Sequence, residues 1–270
     1  MKRLIFTAIT TLAVMSMTTS CSDRQTDIEE YNLKGNVEYV CDTIWDAVEK
    51  FGEIQKNYIT NITKTAFNED GQITSITTYN DKGEITGKIV QDWENKYNLA
   101  EKYRYNTQGE IGERYVYNYD KDRIRTVIGH FTTGKDTLET KTYRYDGDLL
   151  TRIDGVKGDS TYSCDYTYLD ENGSYKLIEK NYKGNTYEET RYLDCDKRTT
   201  KLILNQVEYK FKYDDNGNYA STTYLQNELI YDYAEYDDEG NWTVRTITTR
   251  INNNNEKNFA IDYRYIKYRK

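Results

Sequence analysis

The sequence predicts an all-β protein: an elongated, curled antiparallel β-meander or solenoid, built from units of about 24 residues with two strands each. Turn signals that combine an aromatic residue, Asp or Asn, and Gly recur about every 12 residues along most of the chain. Between them, apolar and polar side chains alternate with the period of a strand that is exposed on one face. None of the 270 residues is Pro, which would remove a hydrogen-bond donor from a sheet.

Residues 1–20 predict a signal peptide. Two basic residues lie near the start, an apolar run covers residues 4–17, and small residues precede Cys21, an order that is typical of secretory signals. The run is too short to span a hydrocarbon core about 30 Å thick. The segment resembles a bacterial lipoprotein signal, which implies lipid attachment at Cys21; an ordinary signal with an incidental cysteine is the alternative. Residues 21–34 are polar and acidic and predict a flexible tether.

The turns have a recognisable chemistry. In residues 67–71 and 79–83, a Gly stands four positions after the aromatic residue, and Asn or Asp lies between them. Asn and Asp side chains bond to backbone groups two residues on, and Gly adopts the left-handed conformation. The pattern therefore favours a type I turn closed by a glycine bulge. The glycines assigned to this turn are Gly71, Gly83, Gly109, Gly173, Gly217 and Gly240.

The segments between the turns alternate clearly. Over residues 207–213, Val, Tyr, Phe and Tyr share one face while Glu, Lys and Lys take the other, and residues 162–168 and 259–265 repeat the alternation. A first strand is expected over residues 37–45, and a single β-repeat domain over residues 35–270, since no linker interrupts the pattern. The expected sheet has roughly 16 to 18 strands and curls, as open sheets of more than about ten strands do. A β-propeller is the alternative.

A resemblance to a known family rests on these repeats. Tyr-Asp-x-x-Gly units such as residues 213–217 resemble the tyrosine–aspartate (YD) repeats of Rhs-type proteins. More narrowly, residues 33–37, 46–53 and 236–243 make the chain similar to small repeat lipoproteins of Gram-negative envelopes. The resemblance implies a repetitive β fold and no assigned activity. Ser22, rather than Asp, follows the cysteine, and within the resemblance this favours the outer membrane, on its periplasmic face or at the cell surface.

Composition and motifs argue against nucleic-acid binding, metal binding and catalysis. A net charge of −8 without a basic tract excludes a typical nucleic-acid binder. The acidic run at Asp214 fails the calcium-loop pattern, because positions six and twelve are Tyr219 and Leu225 instead of Gly and Glu. His130, the only histidine, has no nucleophile signature beside it, and no carboxylate pair stands out among the 45 acidic residues. The sequence therefore predicts no catalytic residue, no metal and no cofactor, and a protein that is not an enzyme.

Three cysteines follow the predicted lipidation site. They are Cys41, Cys164 and Cys195. An odd number cannot all pair within one chain. A bridge between Cys164 and Cys195 is possible in an exported protein, and the spacing of the cysteines does not suggest a zinc site.

Tyrosine dominates the aromatic residues, with 29 Tyr against 6 Phe. A buried Tyr hydroxyl that lacks a partner costs about 1–3 kcal/mol, so a face this rich in Tyr is expected to be partly wet. Wet aromatic surfaces stack on sugar rings or accept another protein. The expected function is a non-enzymatic envelope module that binds or adheres through an aromatic β-surface, with a glycan as one candidate ligand. The alternative is a structural or immunity-type partner of another envelope protein.

Overall fold

The computed structural model describes residues 25–121, 123–131, 137–181, 183–251 and 257–270. Within these ranges it contains one short helix, α1 (Asp27–Glu30), followed by 18 strands. The strands are β1 (Val37–Lys50), β2 (Glu53–Phe67), β3 (Ile73–Tyr79), β4 (Ile85–Trp93), β5 (Leu99–Tyr105), β6 (Ile111–Asp120), β7 (Arg123–Phe131), β8 (Thr137–Asp146), β9 (Leu149–Lys157), β10 (Ser160–Tyr168), β11 (Tyr175–Lys180), β12 (Thr186–Leu193), β13 (Thr199–Leu204), β14 (Val207–Tyr213), β15 (Tyr219–Tyr224), β16 (Asn227–Tyr236), β17 (Trp242–Arg250) and β18 (Lys257–Tyr268). The expected signal peptide and Cys21 lie outside the described residues.

The sheet is closed. Every strand pairs antiparallel with the next one along the chain, and the last strand pairs with the first. The β1–β18 ladder runs from Val37 opposite Tyr268 to Ala47 opposite Phe259. The all-β expectation is therefore confirmed, but the fold is a closed barrel of 18 strands, and the open meander or solenoid and the propeller are both wrong. Closure removes the two sheet edges, whose unpaired N–H and C=O groups would otherwise invite pairing with other chains.

Alternate turns define two ends of the barrel. The proximal end carries the turns that follow even-numbered strands, such as residues 68–72, 214–218 and 237–241, together with the segment that precedes β1. The distal end carries the turns that follow odd-numbered strands, such as residues 80–84 and 106–110. Because every connection between described neighbours is a hairpin, each end of the barrel is a ring of short turns.

The pairing register separates an inner face from an outer face. Going around the barrel from partner to partner, one face holds nearly all of the buried apolar side chains. This is the inner face, because none of the described residues forms a second layer on the outside. Its buried members include Val40, Phe67, Leu99, Val127, Leu150, Leu202, Leu229 and Ala260. The outer face carries charged side chains such as Lys64, Lys210 and Lys267. One small apolar cluster, formed by Ala47, Phe259 and Ile261, lies on the outer face towards the distal end.

The turns have the geometry that their sequence favours. The six glycines assigned to turns have φ between +78° and +86°. In the turn at residues 214–218, Gly217 N donates to Asp214 O, and the Asp214 carboxylate accepts from the backbone N–H groups of Asn216 and Asn218 at 2.9 and 2.8 Å. In the acidic run, the Asp214 side chain therefore stabilises the turn. At residues 194–198 the same turn forms with Lys197 at the glycine position, at a φ of +63°.

The first hairpin extends beyond its neighbour at the distal end. Strand β1 pairs with β18 as far as Ala47, but it pairs with β2 as far as Lys50 opposite Glu53. Phe51 and Gly52 form the tip, both with positive φ, and the Phe51 side chain is fully exposed. Residues 47–54 all belong to this hairpin.

The segment before β1 is packed at the proximal end. Helix α1 is a single turn with a capping box, in which Thr26 and Glu29 each bond the backbone of the other. Ile28 N donates to Gly71 O at 2.9 Å, and Leu33 is buried against Val40 and other inner residues. The tether expected over residues 21–34 is therefore ordered from residue 25 onward. No helix in the described ranges is long and apolar enough to cross a membrane.

Candidate functional site

The inner face of the barrel is lined with tyrosine, and solvent reaches it at the proximal end. Tyr219 lies on the inner face, yet 41% of its surface is exposed. Among the described residues, aromatic contacts and ion pairs join strands that are neighbours or one strand apart, so opposite walls do not meet. Closed barrels of this strand number are wide enough to hold an aqueous interior.

An aromatic band lies on the inner wall from β14 to β17 near the proximal end, in two groups of contacting rings. We define it as Tyr213, Tyr219, Tyr231, Tyr233 and Trp242. Ring centroids are 5.0 Å apart for Tyr213 and Tyr219, 6.1 Å apart for Tyr219 and Tyr231, and 5.8 Å apart for Tyr233 and Trp242. These are the separations of stacked and tilted aromatic pairs. The band therefore offers a run of aromatic faces along one wall.

Three arginines lie against the rings of the band. The Arg198 guanidinium is 4.9 Å from the centre of Tyr213, and Arg245 and Arg264 lie 4.2 and 3.8 Å from the centre of Trp242. Guanidinium groups are attracted to aromatic faces at these distances. The arginines fix the rings at both ends of the band and hold Trp242 between two cations.

Two aspartates neutralise two of these arginines. Arg264 donates two hydrogen bonds to Asp42, at 2.7 and 2.9 Å. Arg245 donates two to Oδ2 of Asp262, at 3.1 and 2.8 Å, whereas the buried Oδ1 of Asp262 has no partner. Burial raises the pKa of Asp262 to about 6, with Asp42 acting in the same direction and Arg245 opposing it. The cluster is therefore close to neutral overall, with one buried oxygen of Asp262 left without a partner.

The hydroxyl groups of the band find backbone partners. Tyr213 OH donates to Thr199 O, and Tyr233 OH donates to Tyr219 O, both at 2.9 Å. Elsewhere at the proximal end Tyr119 OH reaches Leu99 O in the same way, at 3.0 Å. In each case the ring near the end of one strand is tied to the first residue of the strand before it. These bonds satisfy the hydroxyls and leave the rings in fixed positions.

Other residues singled out in the sequence do not form a reactive site. His130 pairs with Arg114 on the outer face of β7 and β6. Cys41, Cys164 and Cys195 are all free thiols, so the possible Cys164–Cys195 bridge is not formed. Burial, and then Glu179, raises the pKa of the Cys164 thiol to about 12, which keeps it protonated and unreactive. No group of three metal-binding side chains comes together within the described ranges.

The arginine–aspartate pairs belong to the candidate site, and the sequence analysis did not identify them. The alternation over residues 259–265 suggests that Phe259, Ile261 and their neighbours face the core, but the inner face of β18 is the one that carries Asp262 and Arg264. The signal available in the sequence was a pair of opposite charges two positions apart, Asp262 and Arg264. By contrast, residues 162–168 and 207–213 do turn their tyrosines inward.

Comparison with known proteins gives structural neighbours only. No protein-family model and no curated protein matches the chain. A porin-like protein from Bacteroides uniformis aligns with a TM-score of 0.45 and 10% identity, over 87% of this chain and 98% of that one. A porin-like protein from Bacteroides vulgatus aligns with a TM-score of 0.39 and 12% identity, over 86% and 98%. The TcdB2–TccC3 structure aligns with a TM-score of 0.37 and 13% identity, over 86% of this chain and 14% of that one.

The family expectation from the sequence is corrected. Assignment to the Rhs-type YD-repeat lipoproteins is wrong, because the strands close into one barrel of 18 strands. At 10–13% identity these neighbours carry no information about a ligand or an activity.

Proposed function

We propose that this chain is a non-enzymatic envelope protein that binds an extended, uncharged chain, a glycan, inside its barrel. The observation that carries the proposal is the aromatic band, five rings on one inner wall with Tyr219 open to solvent. Tyr213 and Tyr233 are fixed by backbone hydrogen bonds, and Tyr219 stacks on Tyr213 while solvent reaches its own surface, so these rings provide a preorganised surface for stacking; Trp242 is buried and packs against Tyr233. Preorganisation lowers the entropic cost of binding.

The charges around the band favour a neutral ligand. Arg264 is paired with Asp42, and Arg245 is paired with Asp262, so neither guanidinium is left to attract an anion. A charged ligand would have to compete with a carboxylate that is already in place. A ligand with hydroxyl groups does not have to displace either pair.

The outer wall supports a position beside the outer membrane rather than within it. Lys64, Lys210 and Lys267 face outward, and a Lys on the lipid face of a barrel costs about 2–4 kcal/mol at the bilayer midplane. We propose that a lipid on Cys21 holds the protein at the membrane. Thr26 is five positions after Cys21, and an extended chain covers at most about 18 Å over that distance. The proximal end would therefore face the bilayer.

The binding proposal is tested by titrating the purified protein, from residue 22 onward, with linear neutral oligosaccharides at low and high salt. The start point keeps the ordered residues from 25, which a shorter version would remove. Tyr219→Ala is expected to weaken binding about two- to tenfold, the value of one aromatic contact. Tyr265→Ala, which removes an exposed ring from the outer wall, is the matched control and should leave the affinity unchanged. Affinity that collapses with salt would contradict a neutral ligand on an aromatic surface.

The lipid proposal has its own test. Labelling cells with a fatty acid should mark the parent protein but not Cys21→Ser, and the variant should leave the membrane fraction. A labelled, membrane-bound variant would show that Cys21 is not the anchor.

A protein partner is a second candidate, favoured by the tip of the β1–β2 hairpin. Phe51 is fully exposed and has a φ of +55°, a conformation that is strained for a bulky side chain. A Phe at this position is unfavourable both for exposure to water and for the backbone conformation. Burial of its ring in an apolar pocket on another envelope protein would explain it. A photo-crosslinking side chain at position 51 should capture one protein in intact cells, while the same group at Lys183, in another distal turn, should not.

A further inference from the structure

Two tyrosines on another part of the inner wall lie over glycines. Tyr162 is directly opposite Gly155 in the β9–β10 ladder, and Tyr115 is directly opposite Gly129 in the β6–β7 ladder. A Cβ added to Gly155 would come within 2.1 Å of the Tyr162 ring, and one added to Gly129 within 2.9 Å of the Tyr115 ring. Each ring therefore occupies the space that a side chain on the neighbouring strand would fill.

The two pairs approach β8 from opposite sides. On β8, Glu139 is opposite Gly129, and Lys141 is opposite Gly155. Tyr162 OH donates to Glu139, and Tyr115 OH donates to Glu113 at 2.9 Å. From β6 to β10 across the wall, the Tyr115 ring is followed by Gly129, then by Glu139 and Lys141 on β8, then by Gly155 and the Tyr162 ring. We call Tyr115, Gly129, Glu139, Gly155 and Tyr162 the β8 patch.

The two glycines of the β8 patch weaken the strands that carry them. Glycine inside a strand is less stable than alanine, and this wall carries one on β7 and one on β9. Rings that lie over strand glycines recover part of the lost packing. They also leave the opposite face of each ring directed to the interior, next to carboxylates that can accept hydrogen bonds. Both tyrosines are half-buried, so solvent still reaches them.

The charges at the patch are matched. Lys141 is 3.4 Å from Glu139, and Arg104 is 3.6 Å from Glu113. A carboxylate holds four lone-pair positions, so these pairs leave acceptor capacity without leaving net charge. The combination of two ring faces with neutralised acceptors fits a neutral ring that carries hydroxyl groups.

We propose that the β8 patch is a second ring-binding site of the barrel interior, for a sugar-like ring whose hydroxyls donate to Glu139 and Glu113. This inference rests on the proposed function and extends it from one wall to two. Strand β8 is eight strands from β16, at the centre of the aromatic band, in a ring of 18, so the two sites lie on nearly opposite walls.

The two sites also lie at different depths. Gly129 and Gly155 are each two residues from the distal end of their strands, whereas the aromatic band lies near the proximal end. A chain that occupies both sites therefore crosses the interior obliquely, entering at the distal end. An oligosaccharide long enough to span the interior is expected to bind more tightly than a short one, and only the long one should respond to changes at both walls.

The test uses the purified protein from residue 22 onward and linear neutral glucose oligosaccharides, from disaccharide to hexasaccharide, as probes. Gly155→Ala displaces the Tyr162 ring without removing it, and Glu139→Gln removes the charge while keeping the shape. Each is expected to weaken hexasaccharide binding about two- to tenfold. Gly112→Ala is the matched control, because a Cβ at Gly112 meets only a carbonyl oxygen at an ordinary 3.7 Å.

The outcomes separate the two proposals. Weaker binding in both Gly155→Ala and Glu139→Gln, with Gly112→Ala unchanged, supports the β8 patch. If Tyr219→Ala weakens binding and the two patch variants do not, the patch is overturned and the aromatic band stands. If the parent protein binds no member of the series, both proposals are overturned. Circular dichroism on every variant shows whether the barrel is intact, and Glu139→Gln decides the matter if Gly155→Ala does not fold.

Discussion

Arg264 on the last strand holds Asp42 on the first strand through two hydrogen bonds, at 2.7 and 2.9 Å, although 222 residues separate them in the chain. The pair lies on the inner side of the seam that closes the barrel, and the Arg264 side chain is almost completely buried. The same guanidinium lies 3.8 Å from the centre of the Trp242 ring. One side chain therefore contacts both the seam of the barrel and the aromatic band.

The first prediction concerns this seam. Arg264→Met leaves Asp42 as an uncompensated charge in a largely buried place, and it should lower the free energy of unfolding by about 3 kcal/mol. Arg250→Met is the control, because Arg250 pairs with Glu228 on the exposed outer wall, where such a pair contributes at most about 1 kcal/mol. Urea unfolding at neutral pH measures both. Equal losses in the two variants would contradict a special role for the seam.

The second prediction concerns the segment before β1. The Asn241 side chain accepts from Lys34 N at 2.8 Å and donates to Lys34 O at 2.9 Å, which ties this segment to the turn at residues 237–241. Asn241→Ala removes both partners at once and should cost about 1–3 kcal/mol. Hydrogen exchange of residues 28–34 should accelerate more than that of the strands. Asn185→Ala, an exposed Asn at the same position of a distal turn, should change neither.

Local features of this fold could be predicted from sequence, because their causes lie within a few residues. The turn at residues 214–218 needs only Asp214 to bond two N–H groups and Gly217 to take a positive φ. The strand at residues 207–213 shows its inner face directly, since only one of its faces is apolar.

Closure and the charged part of the site could not be predicted in the same way. Pairing of β1 with β18 needs a register between residues at opposite ends of the chain, and neither strand carries a local sign of it. On β18 both faces hold apolar residues, so alternation does not show which of Ile261 and Asp262 is inside. A closed barrel can accept Asp262 on its inner face because Arg245 is positioned on the next strand to pair with it.

The third prediction concerns pH. Burial raises the pKa of Asp262 from an ordinary 3.8 to about 6 in the folded protein, so between these pH values the folded state holds a proton that the unfolded state has lost. Stability from this group is therefore greatest below about pH 4 and declines as the pH rises through 6. Relative to Asp262→Asn, the parent should lose on the order of 3 kcal/mol between pH 4 and pH 7, at about 1.4 kcal/mol per pKa unit.

Urea unfolding of both proteins across this pH range measures the difference, in which titrating groups that are not in contact with Asp262 or its charged neighbours cancel. A parent protein that instead gains stability over the variant as the pH rises would show that pairing with Arg245 outweighs burial.

The fourth prediction uses the two versions of one turn. Lys197 occupies the glycine position of the turn at residues 194–198 with a φ of +63°, while Gly217 occupies it in another turn with a φ of +81°. Left-handed backbone costs a residue with a Cβ roughly 1–2 kcal/mol. Lys197→Gly should therefore raise the free energy of unfolding by about 0.5–1 kcal/mol, once the extra freedom of Gly in the unfolded chain is subtracted. Gly217→Ala should lower it by about 1 kcal/mol. Changes of the same sign in the two variants would contradict this explanation.

The last prediction concerns Phe51 at the tip of the β1–β2 hairpin. Phe51 and Gly52 have φ values of +55° and +83°, the type I′ turn for which Asn-Gly is the preferred pair. Phe51→Asn should therefore stabilise the isolated protein by about 1 kcal/mol, because Asn tolerates the left-handed conformation better than Phe does. Tyr265→Asn, the same loss of an exposed aromatic from a regular strand, should destabilise it by up to about 1 kcal/mol.

If Phe51→Asn raises the free energy of unfolding, Phe51 destabilises the isolated protein, and another interaction must offset that loss. Binding of the tip by a protein partner offsets it, since the ring would then leave water and enter an apolar pocket. The proposal of a partner thus makes a joint claim: Phe51→Asn raises stability in urea unfolding and abolishes crosslinking from a neighbouring position such as Lys50. A variant that is destabilised, or one that crosslinks as before, would remove the reason to assign the tip to a partner.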